Sequence, residues 1–349
     1  MAHQSLYRAY RPQSFKEMAG QEQVVKPLEE SIKAKKIGHA YLFAGSRGLG
    51  KTTAARIFAK EIGTTGNDLY EIDAASNNSV EDIRQLTEGV YTLPFESPYK
   101  VYILDEVHML SKAAWNAFLK TLEEPPAHAV FILATTELEK VPETVQSRCQ
   151  VFEFKKPSRK GLAKVVAEVA KQEGYSLEAG AADLVALLAE GSYRDALSVL
   201  QRVLASASGK KLGRAEVEAA TGAPAAELVH ELLAALATGD RAVALGAVER
   251  AAASGADMRL FLELAIEALR NALLIRYAAE LRESIKAEVG EDEYAQLEKA
   301  AKEKGLPAGR QGLTHKTLLA FLEANERIRY APIPALPLEL AVLELFPGE

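Results

Sequence analysis

Residues 45–52 read Gly-Ser-Arg-Gly-Leu-Gly-Lys-Thr, a glycine-rich run closed by a lysine and a hydroxyl side chain. Glycines at this spacing let the backbone turn tightly and aim N–H groups at phosphate oxygens. A helix beginning at the lysine adds free N–H donors and the positive end of its dipole. Lys51 would reach the terminal phosphates, and Thr52 would offer its hydroxyl to Mg2+. Gly45, Ser46, Arg47, Gly48, Leu49, Gly50, Lys51, Thr52 and Thr53 are therefore the candidate nucleotide-binding residues, with ATP and Mg2+ as ligands. A glycine-rich turn with an incidental lysine would look the same in isolation. Here the apolar run AYLFA precedes it and TTAARIFAKEI follows, which is the strand–turn–helix context that phosphate binding needs.

A second constellation lies downstream, in VYILDEVH, where Asp105 and Glu106 end an apolar run. Ligands of open parallel sheets bind beyond the carboxyl ends of the strands, so both carboxylates would face the phosphate loop. Asp105 would orient Mg2+, and Glu106 would activate or position the attacking water. The run AVFILA ends at Thr135 and Thr136. Either hydroxyl could contact the γ-phosphate or the attacking water, or simply close an ordinary turn. Arg148, in Ser-Arg-Cys, is a candidate to stabilise charge on a neighbouring subunit's nucleotide, although a lone arginine is ordinarily a surface charge. Arg194, in GSYRDAL, opens a helix from which it could reach back to the γ-phosphate.

Positioning these groups requires alternating strands and helices. Strands are expected at 40–44, 69–73, 100–105, 129–134 and 150–154, and helices at 21–36, 51–62, 79–88, 111–122 and 141–147. This alternation predicts a parallel sheet with helices on both faces. The segment 76–84, SNNSVEDIR, opens with residues expected to cap a helix: Ser76, Asn77 and Asn78. From 158 to 205 only helix is expected, broken at Gly174 and Gly191. SGKKLG at 208–213 reads as a linker, and the Ala/Leu/Glu-rich remainder as packed helices. A loop is expected at 305–313, and the prolines of 332–338 forbid a regular helix throughout.

Bulk properties bound the function. The chain has 349 residues, 48% of them apolar, and a formal net charge of −6. That charge gives no global attraction to nucleic acid or to anionic membrane. The single cysteine, Cys149, cannot form an internal disulfide or a multi-cysteine zinc site. No apolar run approaches the roughly 20 residues of a membrane span, and the N-terminus lacks a signal-like stretch. A cytoplasmic location is expected.

Together these runs resemble a known family. LYRAYRPQSFKEMAGQE, HAYLFAGSRGLGKTT, YEIDAASNNSVEDIRQL, YKVYILDEVHMLSKAAWNAFLKTLEEPP and SRCQVFEF are similar to the bacterial DNA polymerase III clamp-loader gamma/tau subunits, which are AAA+ ATPases. The resemblance is dense over 1–205. It implies an AAA+ nucleotide-binding α/β domain at 1–157, a helical lid at 158–208 and an all-α collar at 209–349. It assigns Thr136 as the γ-phosphate sensor with Thr135 left open, Arg148 as a finger acting in trans, and Arg194 as a second sensor. It places Tyr10, Arg11 and Pro12 near the base and ribose. The implied activity is ATP hydrolysis that opens a sliding clamp and loads it on primed DNA. The implied partners are delta- and delta-prime-type subunits in a five-membered ring.

The sequence departs from that family between 61 and 69, where EIGTTGNDL replaces the usual four-cysteine zinc module; no zinc site is expected. Ending near the collar, the chain favours a short, gamma-like form. Two other readings remain: a branch-migration or archaeal-type AAA+ motor, and a non-hydrolysing ring subunit. The second predicts a damaged phosphate loop or acidic pair, and both are intact.

Overall fold

The computed structural model describes residues 4–303 and 313–346, which group into two compact units. The first comprises residues up to 172 together with 185–201; the second comprises 173–184 and 202 onward.

The first unit is built on five parallel strands: β1 (Ala40–Ala44), β2 (Leu69–Asp73), β3 (Lys100–Asp105), β4 (Ala129–Thr135) and β5 (Gln150–Glu153). Their order is β2-β3-β4-β1-β5. Side chains alternate between the two faces of a strand, and both faces here are covered. Leu42, Tyr102, Leu104, Phe131 and Leu133 point into one core. Their neighbours Tyr41, Phe43, Val101, Ile103, Val130 and Ile132 point into the other. This is why the central strands read as continuous apolar runs.

The helices of this unit are α1 (Leu6–Ala9), α2 (Glu22–Lys33), α3 (Lys51–Glu61), α4 (Val80–Val90), α5 (Lys112–Glu123), α6 (Glu143–Gln146) and α7 (Arg159–Gln172). Helices α4, α5 and α6 cover the first face, through Ile83, Trp115, Phe118 and Val145. Helices α2 and α3 cover the second, through Leu28, Ala55 and Phe58. Phe131 is fully buried, edge-on to Phe118 and stacked on Tyr102. Removing such a ring costs roughly 3–5 kcal/mol.

Two expectations need correction. Helix α4 is capped by Ser79, not by Ser76, Asn77 or Asn78. Ser79 accepts from the Asp82 amide, while Asp82 returns a bond to the Ser79 amide. The earlier polar residues serve a turn instead, with the Ser76 and Asn77 amides both donating to the Asp73 carbonyl. Nor is 158–205 purely helical: Ser176–Leu177 (β6) pairs in parallel with Lys211–Leu212 (β7), inside the expected linker. Strands of two residues carry no readable periodicity.

Helices α8 (Ala179–Leu188) and α9 (Tyr193–Ser206) divide between the units. The second unit continues with α10 (Arg214–Thr221), α11 (Ala226–Thr238), α12 (Arg241–Ala253), α13 (Met258–Tyr277), α14 (Arg282–Val289), α15 (Glu291–Lys302), α16 (His315–Arg327) and α17 (Leu336–Leu345). Helix α13 packs on α11, α15 and α16, and α16 packs on α17. Helix α17 begins only at Leu336, with Pro337 in its first turn, where a missing N–H is harmless. The loop expected at 305–313 falls outside the described residues except for Leu313. Among the described residues, no helix is long and apolar enough to cross a membrane.

Candidate nucleotide-binding site

The loop 45–50 joins β1 to α3 at the carboxyl edge of the sheet. Two glycines are sterically required. Gly45 has φ 143°, and a Cβ there would meet the Phe154 carbonyl oxygen at 2.6 Å. Gly48 has φ 76°, and a Cβ there would lie 2.0 Å from the Ser192 hydroxyl. Leu49 turns its side chain into the core, so only its backbone remains for a ligand. Lys51 is almost buried, and its ammonium donates to the carbonyls of Gly45 (2.7 Å) and Ser46 (3.0 Å). Burial lowers its pKa, and Glu106 and Asp105 work against that fall. An ammonium held inside its own loop is the donor that a phosphate would take over. Thr53 is buried as well.

The acidic pair lies alongside. Thr52 Oγ1 donates to Asp105 Oδ2 at 2.7 Å, which brings together a hydroxyl and a carboxylate of the kind that binds Mg2+. The other Asp105 oxygen accepts the Glu106 amide at 2.9 Å. Glu106 adopts φ 51° and ψ 42°, the left-handed region that non-glycine residues rarely occupy. Holding it there costs about 1–2 kcal/mol.

Thr135, the last residue of β4, and Thr136 just after it lie near this carboxylate. Thr136 Oγ1 donates to Glu106 Oε2 at 3.3 Å. Thr135 is fully buried, accepts the Glu137 amide at 3.0 Å, and lies 3.2 Å from His108 Nδ1. Its carbonyl accepts the Gly45 amide, which ties β4 to the start of the phosphate loop. Sequence reasoning missed His108 entirely. A histidine two positions after a strand-end glutamate carries no signal until β4 is placed beside it.

The arginines are held differently. The N-terminus of α9 packs on the loop, where the Tyr193 amide donates to the Gly48 carbonyl at 3.2 Å. Tyr193 also bonds the Ala19 carbonyl through its hydroxyl at 2.7 Å. Arg194 is thus carried to the loop, but its exposed guanidinium lies over the Tyr7 ring, 4.8 Å from the centroid. Tyr10, Arg11 and Pro12 are half-buried in the adjoining N-terminal segment. Burial lowers the pKa of Arg11, as does the nearby Arg56. Arg148 is engaged elsewhere: it donates to Glu123 Oε1 and to the Thr144 carbonyl, each at 2.7 Å. Cys149 beside it is pushed up to about 12 by burial, which makes it unreactive as a nucleophile at neutral pH.

A family model described as the DNA polymerase III delta subunit matches residues 20–71 and 64–158. A second, for domain III of the gamma and tau subunits, matches 212–347. DNA polymerase III subunit tau of Bacillus subtilis is 40% identical over 299 residues, covering 80% of this chain and 53% of the relative. The gamma/tau subunit of Mycobacterium tuberculosis is 34% identical over 364 residues, 98% of this chain and 62% of the relative. The tau subunit of Escherichia coli is 36% identical over 368 residues, 98% and 55%. The chain belongs to the DNA polymerase III gamma/tau family. It spans between 53% and 62% of the length of these relatives. Among solved structures, the Thermotoga maritima RuvB branch migration motor aligns with TM-score 0.53 and 23% identity, over 65% of this chain and 79% of that one. That likeness concerns the fold alone.

A buried carboxylate ties the stretch 61–69 to the rest of the domain. Asp68 is buried, and its carboxylate accepts the amides of Phe95 (2.6 Å), Glu96 (3.0 Å) and Ser97 (2.9 Å). Burial opposes ionisation, but these donors together outweigh it and hold the pKa at about 2. Thr65 and Asn67 add bonds to Glu96. One carboxylate thus fastens the turn before β2 to the loop before β3.

Proposed function

We propose that this chain is the ATP-binding and ATP-hydrolysing motor subunit of a DNA polymerase III clamp loader, which opens the sliding clamp and loads it on primed DNA. The observation that carries the reading is the continuous bonding of Thr52, Asp105, Glu106 and Thr136 beside an intact phosphate loop.

The loop amides from Gly45 to Thr53 would hold the phosphates, with Lys51 exchanging its carbonyl partners for phosphate oxygens. Tyr10, Arg11 and Pro12 would line the base and ribose. Thr52 and Asp105 would hold Mg2+, which supplies charge neutralisation at the terminal phosphates. Glu106 would accept a proton from, or orient, the attacking water, and Thr136 would hold that water or the γ-phosphate. Arg194 would leave Tyr7 to report the γ-phosphate. Arg148 would leave Glu123 to neutralise charge on a neighbouring subunit's nucleotide. The proposal includes a cytoplasmic location and a nucleotide domain (1–157), lid (158–208) and collar (209–349). It also includes a ring of five with delta- and delta-prime-type partners.

ATP turnover should be measured with and without primed DNA, sliding clamp and the partner subunits. Stimulation that requires all of them together is expected. Full activity of the chain alone, unaffected by clamp or DNA, would contradict the loader reading.

A further inference from the structure

The imidazole of His108 joins groups from two strand ends. Its side chain is only 9% exposed. Nδ1 lies 3.2 Å from Thr135 Oγ1 and 3.5 Å from Glu106 Oε2, while Nε2 lies 3.3 Å from Glu137 Oε1. Glu137 in turn pairs with Lys140 at 2.7 Å, which lowers its pKa and keeps it a carboxylate. A carboxylate only accepts, so Nε2 carries the hydrogen in the neutral ring and Nδ1 presents its lone pair. The Thr135 hydroxyl oxygen already accepts the Glu137 amide, so its own hydrogen is free to donate to Nδ1. The ring thus joins Thr135 to Glu137 with one accepting and one donating nitrogen.

We propose that His108 is a positioning residue for hydrolysis, fixing, through the Thr135 hydroxyl and Glu137, the turn that carries Thr136 against the Glu106 carboxylate. Glu106 needs such support because its backbone is in the left-handed region and the Thr136 hydroxyl bonds its carboxylate at a long 3.3 Å. The ring is itself anchored by Glu137. Through that anchor, the turn after β4 is linked to the placement of the catalytic glutamate. This inference rests on the reading of Glu106 as the residue that acts on water.

The test compares ATP turnover, and binding of a non-hydrolysable ATP analogue, in the full chain assembled with its partners, clamp and primed DNA. His108→Phe keeps the ring's bulk and removes both nitrogens. Its kcat is expected to fall at least about tenfold, as small misplacements of a reacting group do, with analogue affinity within twofold of wild type. His108→Asn restores a polar atom at the Nδ1 position and is expected to recover much of the loss; His108→Gln is not. If the Phe variant fails to fold, Glu137→Gln, which only weakens the anchor, is expected to lower kcat severalfold without changing KM. Wild-type kcat in His108→Phe, or in its absence Glu137→Gln, would overturn the proposal. So would a parallel loss of analogue affinity and melting temperature with no rescue by Asn, which marks a packing role. Glu106→Gln run beside them separates the two readings: its full activity would sink the glutamate assignment itself, whereas its inactivity with an active His108→Phe sinks only the role of His108.

Discussion

The groups on the carboxyl edge of the sheet and the two arginines meet opposite conditions. Lys51, Thr52, Asp105, Glu106 and Thr136 bond to one another or to the loop they serve. Arg148 and Arg194 are held by partners with no chemistry of their own, Glu123 and the Tyr7 ring. The first set is fixed by strand ends and by a loop anchored through buried Leu49 and Lys51, so ligand binding can replace partners with little movement. The second set sits on exposed or half-exposed side chains whose partners are individually weak: a surface ion pair is worth roughly 0–1 kcal/mol and a cation–π contact about the same. On the proposed roles, the groups that would respond to a neighbour or to nucleotide are held by contacts that are easily exchanged.

That contrast can be broken experimentally. Arg148→Ala should reduce hydrolysis by about 10³-fold in the assembled ring while sparing nucleotide binding, the scale of a finger supplied in trans. An equal loss in the isolated chain would place Arg148 in cis and erase the distinction. Lys51→Ala should weaken ATP binding on the order of 100-fold, the loss of charge-assisted bonds to phosphate, measurable by calorimetry. Unchanged affinity would mean that the loop amides suffice alone.

Asp68 extends the comparison to a buried carboxylate with a purely structural task. Asp68→Ala should lower unfolding stability by about 1–3 kcal/mol by leaving three amides unpaired, checked by urea denaturation. Because its folded pKa is about 2 against an ordinary 3.8, its contribution is complete above pH 4 and is lost as pH falls towards 2. Asp68→Asn should therefore flatten the acid limb of the stability curve in that window. The smallest effect belongs to Glu123→Gln. It should raise ring-dependent turnover by no more than about threefold, since it removes only a half-exposed ion pair holding Arg148.

The five strands and the helices between them were legible because burial on both faces leaves apolar runs that end in polar residues at the ligand edge. Thr52 and Asp105 were legible from the loop and the strand end separately, and the structure joins them. His108, the Tyr7–Arg194 stack, Glu123 and the Asp68 fastening were not. Each depends on groups far apart in the chain, and neither residue of such a pair departs from its local pattern. Ser79 was obscured by three equally good capping residues just before it. The choice among them was decided by Asp82, three positions after Ser79, which closes the reciprocal bond.

The claim that these strand ends form a hydrolytic site is tested most directly by Glu106→Gln in the reconstituted assembly. ATP affinity should stay within a factor of about two, and the single-turnover rate should fall on the order of 10²–10⁴-fold, the range for loss of a general base. Hydrolysis at the wild-type rate, with DNA stimulation intact, would contradict the account.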